Sequence, residues 1–247
     1  RLTVSPAEHC GRHTRLEMDY VYTLVETLAQ DPEIQQEMTF RPNSSLYRLG
    51  NGYRYAESKM RKRSRDYNLV ELRESRQLVE TLERAEPGAT SKELTEHLVA
   101  KGFPEEDARI FVGRLIATQI LQPEMLPAVT GPEPVQELIA QLKALPSAGA
   151  IAELLQEVQG MVQSLDQGAH AGDESHYRAI ITRMEGLPAK ADIGRTFQVD
   201  LSRREPDLSL GPDVIETLLM GVQVLQRLGF EDDRFGIRHA VEDHVLL

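Results

Sequence analysis

The stretch LYRLGNGYRY, Leu46 to Tyr55, is the feature that most constrains this chain. Gly50-Asn51-Gly52 offers backbone positions where positive φ costs little, and β-prone runs flank it at Leu46–Leu49 and Tyr53–Tyr55. The pattern predicts a hairpin. A basic run follows, with Lys59, Arg61, Lys62, Arg63 and Arg65, and then Tyr67–Leu72 reads as a third strand.

Three amphipathic segments come next. The first, Ser75–Ala85, is closed by Pro87-Gly88. The second, Ser91–Ala100, has Thr90 with Glu93 three residues on, a capping box, and ends at Gly102. The third starts at Pro104 with Glu105, Glu106 and Asp107 in its first turn. Its apolar residues Ala108, Phe111, Val112, Leu115 and Ile116 fall on one helical face, and it ends near Leu121. Three strands followed by three helices, from Asn43 to Leu121, is the element order of a winged helix-turn-helix variant.

Helical patterning continues on both sides. Upstream, Asp19 is a plausible N-cap for a helix reaching Ala29, with Tyr20, Val21, Leu24, Val25 and Leu28 as its apolar stripe. Gly131-Pro132 marks a boundary. Beyond it run stripes at Val135–Leu145, Leu154–Leu165 and Tyr177–Leu187, a strand at Thr196–Leu201, and a last helix from Pro212. The expected fold class is α+β, mostly helical, with a winged helix-turn-helix-like module embedded in a helical scaffold. The expected divisions are 1–40, 41–131, and 132–247 with one strand near 196–201.

Composition narrows the function. A net charge of −11 over 247 residues argues against general nucleic-acid binding, which rests on neutralising phosphates. No apolar stretch approaches the roughly 18–20 residues that span a bilayer, so no integral membrane segment is expected. The single Cys10 excludes an internal disulfide framework and fits a reducing, cytoplasmic setting. His170 and His176 lie near Asp173 and Glu174, but in a Gly-rich stretch that reads as a solvated loop rather than a metal site.

A winged helix can grip DNA or a peptide. For DNA, the N-terminal residues of the third helix would face base edges, and Glu105, Glu106 and Asp107 would repel the phosphates. A peptide suits the architecture better, because an exposed third-strand edge accepts an extended chain by β-augmentation. Tyr67, Leu69 and Val70 on the strand, with Ile110 and Arg114 on the third helix, form the candidate groove. The same residues could instead build the core. The basic run could meet an acidic peptide, tRNA phosphates or only solvent.

The segments HTRLEMDYVYTLVETL, FRPNSSLYRLGNGYRYAE, LIATQILQPEMLPAVTG and FQVDL occur in this order. Together they resemble the amino-terminal domain of class I lantibiotic dehydratases, the nisin dehydratase type, over His13 to about Leu228. The resemblance implies transfer of glutamate from glutamyl-tRNA to Ser and Thr hydroxyls of a ribosomal precursor peptide. A separate carboxy-terminal domain then eliminates glutamate to leave dehydroalanine or dehydrobutyrine. It also implies that the winged-helix portion recognises the leader peptide, that glutamyl-tRNA is a co-substrate with no other cofactor, and that the full protein forms a homodimer. Asp200 in QVDL matches an acidic position the family implicates in glutamylation. Glu17 and Asp19 fall where the family carries a functional acidic residue, although Glu17 stands where Asp is usual. Arg61, Lys62 and Arg63 are the candidates for contact with tRNA. The family's Arg-rich segment and its elimination domain are not found in the chain. It is therefore expected to be an interior piece that binds a leader peptide without turning over substrate alone. The alternative is a non-enzymatic winged-helix regulator that binds DNA or protein.

Overall fold

The structure is a computed structural model that describes residues 10–61, 64–128, 130–167, 173–203 and 210–228. The chain divides into two compact units, one of Gly11–Ser202 and one of Arg1–Cys10 with Arg203–Leu247. Helix outweighs strand, and runs of strands and runs of helices are interspersed through the larger unit.

That unit opens with β1 (Cys10–Leu16), which pairs with the distant β8 (Phe197–Arg203) as a two-stranded ribbon. Helix α1 (Met18–Leu28) follows, and its N-cap is Glu17, not Asp19. The Glu17 carboxylate accepts a 2.6 Å hydrogen bond from the Asp19 backbone N–H, which would otherwise be one of the helix's orphan donors. Glu is rarely chosen for this position over Asp, which is why the sequence pointed two residues too far. The expected stripe of Tyr20, Val21, Leu24, Val25 and Leu28 is buried. Asp31 caps a short helix, α2 (Pro32–Glu37), with Pro32 at its first position.

The segment Thr39–Glu57 contributes to two sheets, and the hairpin expected at Leu46–Tyr55 is formed in the second of them. Strand β2 (Thr39–Pro42) is the centre of a three-stranded sheet, flanked by β6 (Ala89–Thr90) and β7 (Leu121–Pro123). Asn43 ends the strand. Its N–H donates to Ile120 O, its amide to Gln119 O, and its Oδ1 accepts from Ser45. The turn at Gly50-Asn51-Gly52 then joins β3 (Tyr47–Leu49) to β4 (Gly52–Arg61), with Gly50 at φ 57°. Strand β4 pairs along its whole length with β5 (Ser64–Arg73). Lys59, Arg61 and Arg65 of the basic run therefore lie in the two arms of a long hairpin, where a loop was one of the expectations.

Three helices complete the module: α3 (Arg76–Ala85) capped by Ser75, α4 (Ser91–Ala100) with the Thr90–Glu93 capping box formed, and α5 (Glu105–Ala117). Pro104 precedes α5 as its N-cap, one position earlier than expected. Inward-facing Tyr55 and Phe40, the helix faces carrying Leu78, Leu94, Leu98, Val112 and Leu115, and the α1 stripe share one apolar core. Burying such side chains contributes roughly 1.5–3 kcal/mol each.

Beyond the module, α6 (Pro134–Lys143), a 3-10 turn at Pro146–Ala148 and α7 (Gly149–Ser164) pack together, and α8 (Glu174–Met184) packs on α7. Asp173 caps α8 and lies 3.5 Å from His176; His170 lies outside the described residues. In the other unit, α9 (Pro212–Leu228) begins at the expected proline. Among the described residues no single helix is long and apolar enough to cross a membrane.

Candidate functional site

The sheet β3–β4–β5 has two edges, and they are treated differently. Strand β3 covers only the first residues of β4, so beyond Arg54 the inner edge of β4 must be satisfied otherwise. Side chains do this. Ser45 Oγ accepts from Ala56 N at 2.9 Å, and the Gln119 amide both accepts from Ser58 N and donates to Ser58 O, each at 2.8 Å. Gln119 occupies a left-handed backbone position, φ 61°, and its amide takes the place of a neighbouring strand.

These bonds orient the far edge. Residues opposite each other in an antiparallel ladder alternate between pairs that exchange both hydrogen bonds and pairs that exchange neither. Ala56 and Ser58 send their N–H groups away from β5, so their partners Leu69 and Tyr67 belong to the second kind. Tyr67 and Leu69 therefore aim their own N–H and C=O groups outward from β5. No described strand pairs with that edge. Their side chains are also open, at 70% and 65% exposure. Val70 points to the other face, opposite buried Tyr55, and packs on the core. Ile110 (42% exposed) and Arg114 share the outer face of α5, one turn apart, while that helix buries Ala108, Val112, Leu115 and Ile116 against its neighbours α4 and β7.

Arg65 knots the base of this edge to α1. Only 8% of its side chain is exposed. It donates to Glu26 at 2.7 and 3.1 Å, to Ser58 Oγ at 2.8 Å and to Asp19 at 3.3 Å, and it lies over the Tyr22 ring. Burial by itself would lower the Arg65 pKa. The hydrogen bonds and charges of Glu26 and then Asp19 outweigh it, so the guanidinium titrates above its ordinary value. The Tyr22 hydroxyl is pushed up, chiefly by burial and then by Tyr67. Lys59 reaches Glu57 at 2.8 Å. Arg61 stands opposite Ser64 at the end of the ladder, and Lys62 and Arg63 lie outside the described residues.

The remaining candidates cluster around the β1–β8 ribbon. Glu17 N donates to Thr196 O, and Ser202 Oγ donates to Gly11 O, so the two strands run antiparallel. On the inner face Thr14 gives Asp166 two hydrogen bonds, and Arg12 bonds the Tyr177 hydroxyl. On the outer face Asp200 takes a 2.9 Å hydrogen bond from Gln198 and lies 3.3 Å from Arg15. His13, two positions along, is 3.8 Å from Glu133. Asp19 is thus turned to Arg65, Asp200 to Arg15, and Glu17 to the start of α1. No described hydrogen bond joins the three carboxylates into one cluster. Among the described residues no group of three or more His, Cys, Asp or Glu could hold a metal ion.

Sequence reasoning missed Gln119, Ser45 and Arg15. Nothing in TQIL marks a left-handed glutamine, since the usual residues there are Gly and Asn. Arg15 did carry a signal: the alternation in GRHTRL reads as a short strand.

The family model described as "Lantibiotic dehydratase, N terminus" matches residues 2–235. The chain belongs to the lantibiotic dehydratase N-terminal family. The tRNA-dependent lantibiotic dehydratase MibB from Microbispora sp. 107891 shares the fold, with a TM-score of 0.62 at 19% identity over 90% of this chain. The glutamylation domain TbtB from thiomuracin biosynthesis gives 0.56 at 14% identity over 91%. The same domain bound to 5'-phosphodesmethylglutamycin gives 0.51 at 15% identity. The chain spans 22% of the MibB chain and 26% of the TbtB chain. Comparison with curated proteins returned no match.

Proposed function

We propose that this lantibiotic dehydratase segment binds the leader of a ribosomal precursor peptide and forms part of a glutamylation domain acting in the cytoplasm. The observation that carries the reading is the asymmetry of the β3–β4–β5 sheet. One edge is closed by Ser45 and Gln119, and the other presents the backbone of Tyr67 and Leu69 beside their exposed side chains. An extended peptide adding to β5 gains main-chain hydrogen bonds from the edge and apolar contact from alternate side chains. Ile110 and Arg114 would extend that contact from α5, and the module spans residues 41–131.

Within the whole protein the reaction is acyl transfer from glutamyl-tRNA. The Ser or Thr oxygen attacks the glutamyl ester carbonyl, a new ester C–O bond forms, and the bond to the tRNA ribose oxygen breaks. The hydroxyl proton ends on that departing oxygen. Asp200, with Glu17 and Asp19 in support, is the carboxylate set assigned to this chemistry, and Arg61, Lys62 and Arg63 are assigned to tRNA phosphates. A DNA-reading regulator finds no support in α5, whose exposed first turn is Glu105, Glu106 and Asp107.

The test is a fluorescence-anisotropy titration of the chain with a labelled leader peptide from a neighbouring precursor gene, beside a duplex DNA control. Saturable peptide binding that withstands salt is expected, with no DNA binding. Leu69→Pro removes one outward N–H without touching the β4 ladder, so it should abolish binding while leaving the fold intact. The Tyr67→Ala/Leu69→Ala double variant should weaken it. Retained affinity in both, with native circular dichroism, would refute the β5 groove.

A further inference from the structure

We infer that the groove between α6 and α7 holds an extended, uncharged peptide segment, the Ser- and Thr-bearing part of the precursor that follows its leader. The inference rests on the peptide-binding reading above and gives the remainder of that peptide a place on the protein.

Two helix faces form this groove of about 430 Å³. Gln136, Ala140 and Lys143 line it from α6, and Gln156, Gly160 and Gln163 from α7. Each set falls at i, i+4 and i+7, a single helical stripe. Such a stripe rises about 10 Å, the reach of about three residues of extended chain. The other two lining residues, Ile139 and Gln159, are buried and make the floor. Lys143 donates to Gln156 Oε1 across the groove.

Gln159 and Gly160 point to a ligand. Gln159 is only 7% exposed, and its Oε1 is buried with no hydrogen-bond partner among the described residues. An amide that gives up water without a partner weakens the fold, and such groups in native proteins call for a reason. Gly160 is the second poor choice. It lies inside α7, where glycine is less favourable than alanine, yet a Cβ there would meet no atom within 4 Å. Packing does not require glycine at that position. Two adjacent residues that both weaken α7 thus open onto one groove, and a bound chain accounts for both.

The lining selects the occupant. A glutamine amide carries the donors and acceptor of a peptide bond, so Gln136, Gln156, Gln159 and Gln163 match a main chain that presents N–H and C=O groups in turn. None of the lining residues is a carboxylate, which disfavours a basic ligand, and the single cation Lys143 is turned to Gln156. Ala140 and Gly160 leave room for a backbone with short side chains. A second copy of the chain suits the groove less well, because interfaces between copies bury broad apolar faces and this one is rimmed by amides.

Fluorescence anisotropy of the chain with two labelled probes tests this: the leader alone, and the same leader extended into its Ser/Thr-bearing core. The extended peptide is expected to bind at least about tenfold more tightly, since the leader raises the local concentration of the segment behind it. Gln159→Leu keeps the volume and removes the amide, and Gly160→Leu projects a side chain into the groove. Either should erase the gain and leave affinity for the leader alone unchanged. Both variants should unfold in urea at or above the wild-type midpoint, because each removes a feature that weakens α7. A lower midpoint for Gln159→Leu would show that the amide is paired within the fold and would overturn the inference. If the leader binds but its extension adds nothing, or if either folded variant keeps the gain, the groove assignment falls and the leader reading stands. Self-association abolished by Gly160→Leu would make the groove a contact between copies and also overturn it. If the wild type binds no leader, that reading fails and this assignment fails with it.

Discussion

Two side chains, Gln119 and Arg65, do most to shape the open edge of β5. Gln119 holds a left-handed backbone conformation that costs a non-glycine residue of order 1–3 kcal/mol, and its amide recovers that through both hydrogen bonds to Ser58. Gln119→Ala keeps the strain and loses the bonds, leaving the Ser58 N–H unpaired at the sheet edge. Urea unfolding should show it destabilised by about 1–3 kcal/mol, and Gln119→Gly should recover part of the loss by relieving φ. Arg65 is the other case. Removing Glu26 as Glu26→Leu leaves a nearly buried guanidinium with the Asp19 carboxylate at 3.3 Å and the Ser58 hydroxyl beside it, so the cost should approach about 3 kcal/mol in the same assay. Neither role was legible beforehand. Arg65 looked like one more member of a basic run, because a sequence shows charge but not which carboxylate sits across the fold. Glu17 and Asp19 were singled out for chemistry. The structure gives Glu17 a capping bond within α1 and Asp19 an ion pair with Arg65 from across the fold.

Elements were read best where local chemistry decides them. The Thr90–Glu93 box at α4 is formed as its spacing implied, and the turn at Gly50 has the positive φ that glycine permits. Thr90→Ala should cost about 1 kcal/mol. The box also carries a pH signature. The Glu93 carboxyl is held below its ordinary range, first by the Thr90 backbone N–H, then by the Thr90 hydroxyl and Arg84. A carboxyl lowered in the folded state contributes stability above its unfolded pKa and loses it as pH falls through the folded value. The stability gap between wild type and Glu93→Gln should therefore be fullest near neutral pH and close as pH drops below about 4.5. A gap independent of pH would mean the carboxylate is not bonded as described. Elements that depend on distant partners were harder. Strands β1 and β2 are short, and their partners β8, β6 and β7 lie far along the chain, so no local pattern announces the pairing. The extra length of β4 and β5 was hidden by their basic residues, which are poor strand markers but tolerable at a hairpin's outer end.

At the scale of the whole molecule the proposed contact with tRNA has to be reconciled with a net charge of −11. Long-range attraction is unavailable, so any phosphate contact must come from a local concentration of cations that the fold does not neutralise. In the proposed reading that role falls to the basic run, although part of it is engaged elsewhere. Arg65 is spent on Glu26 and Asp19, and Lys59 faces Glu57. Of the basic run, Arg61, Lys62 and Arg63 are the residues proposed above to meet tRNA. Peptide and tRNA should then respond differently to salt. Leader binding as proposed would run through backbone hydrogen bonds and apolar contact at Tyr67 and Leu69, so its affinity should change little between low and physiological salt. Binding of tRNA should weaken steeply, and replacing Arg61, Lys62 and Arg63 by Ala should lower the slope of log affinity against log salt by about 2–3. Leader affinity should be preserved in that triple variant. An unchanged slope would place the phosphates elsewhere on the protein; lost leader binding would mean that the hairpin end supports the β5 edge instead of serving a separate ligand.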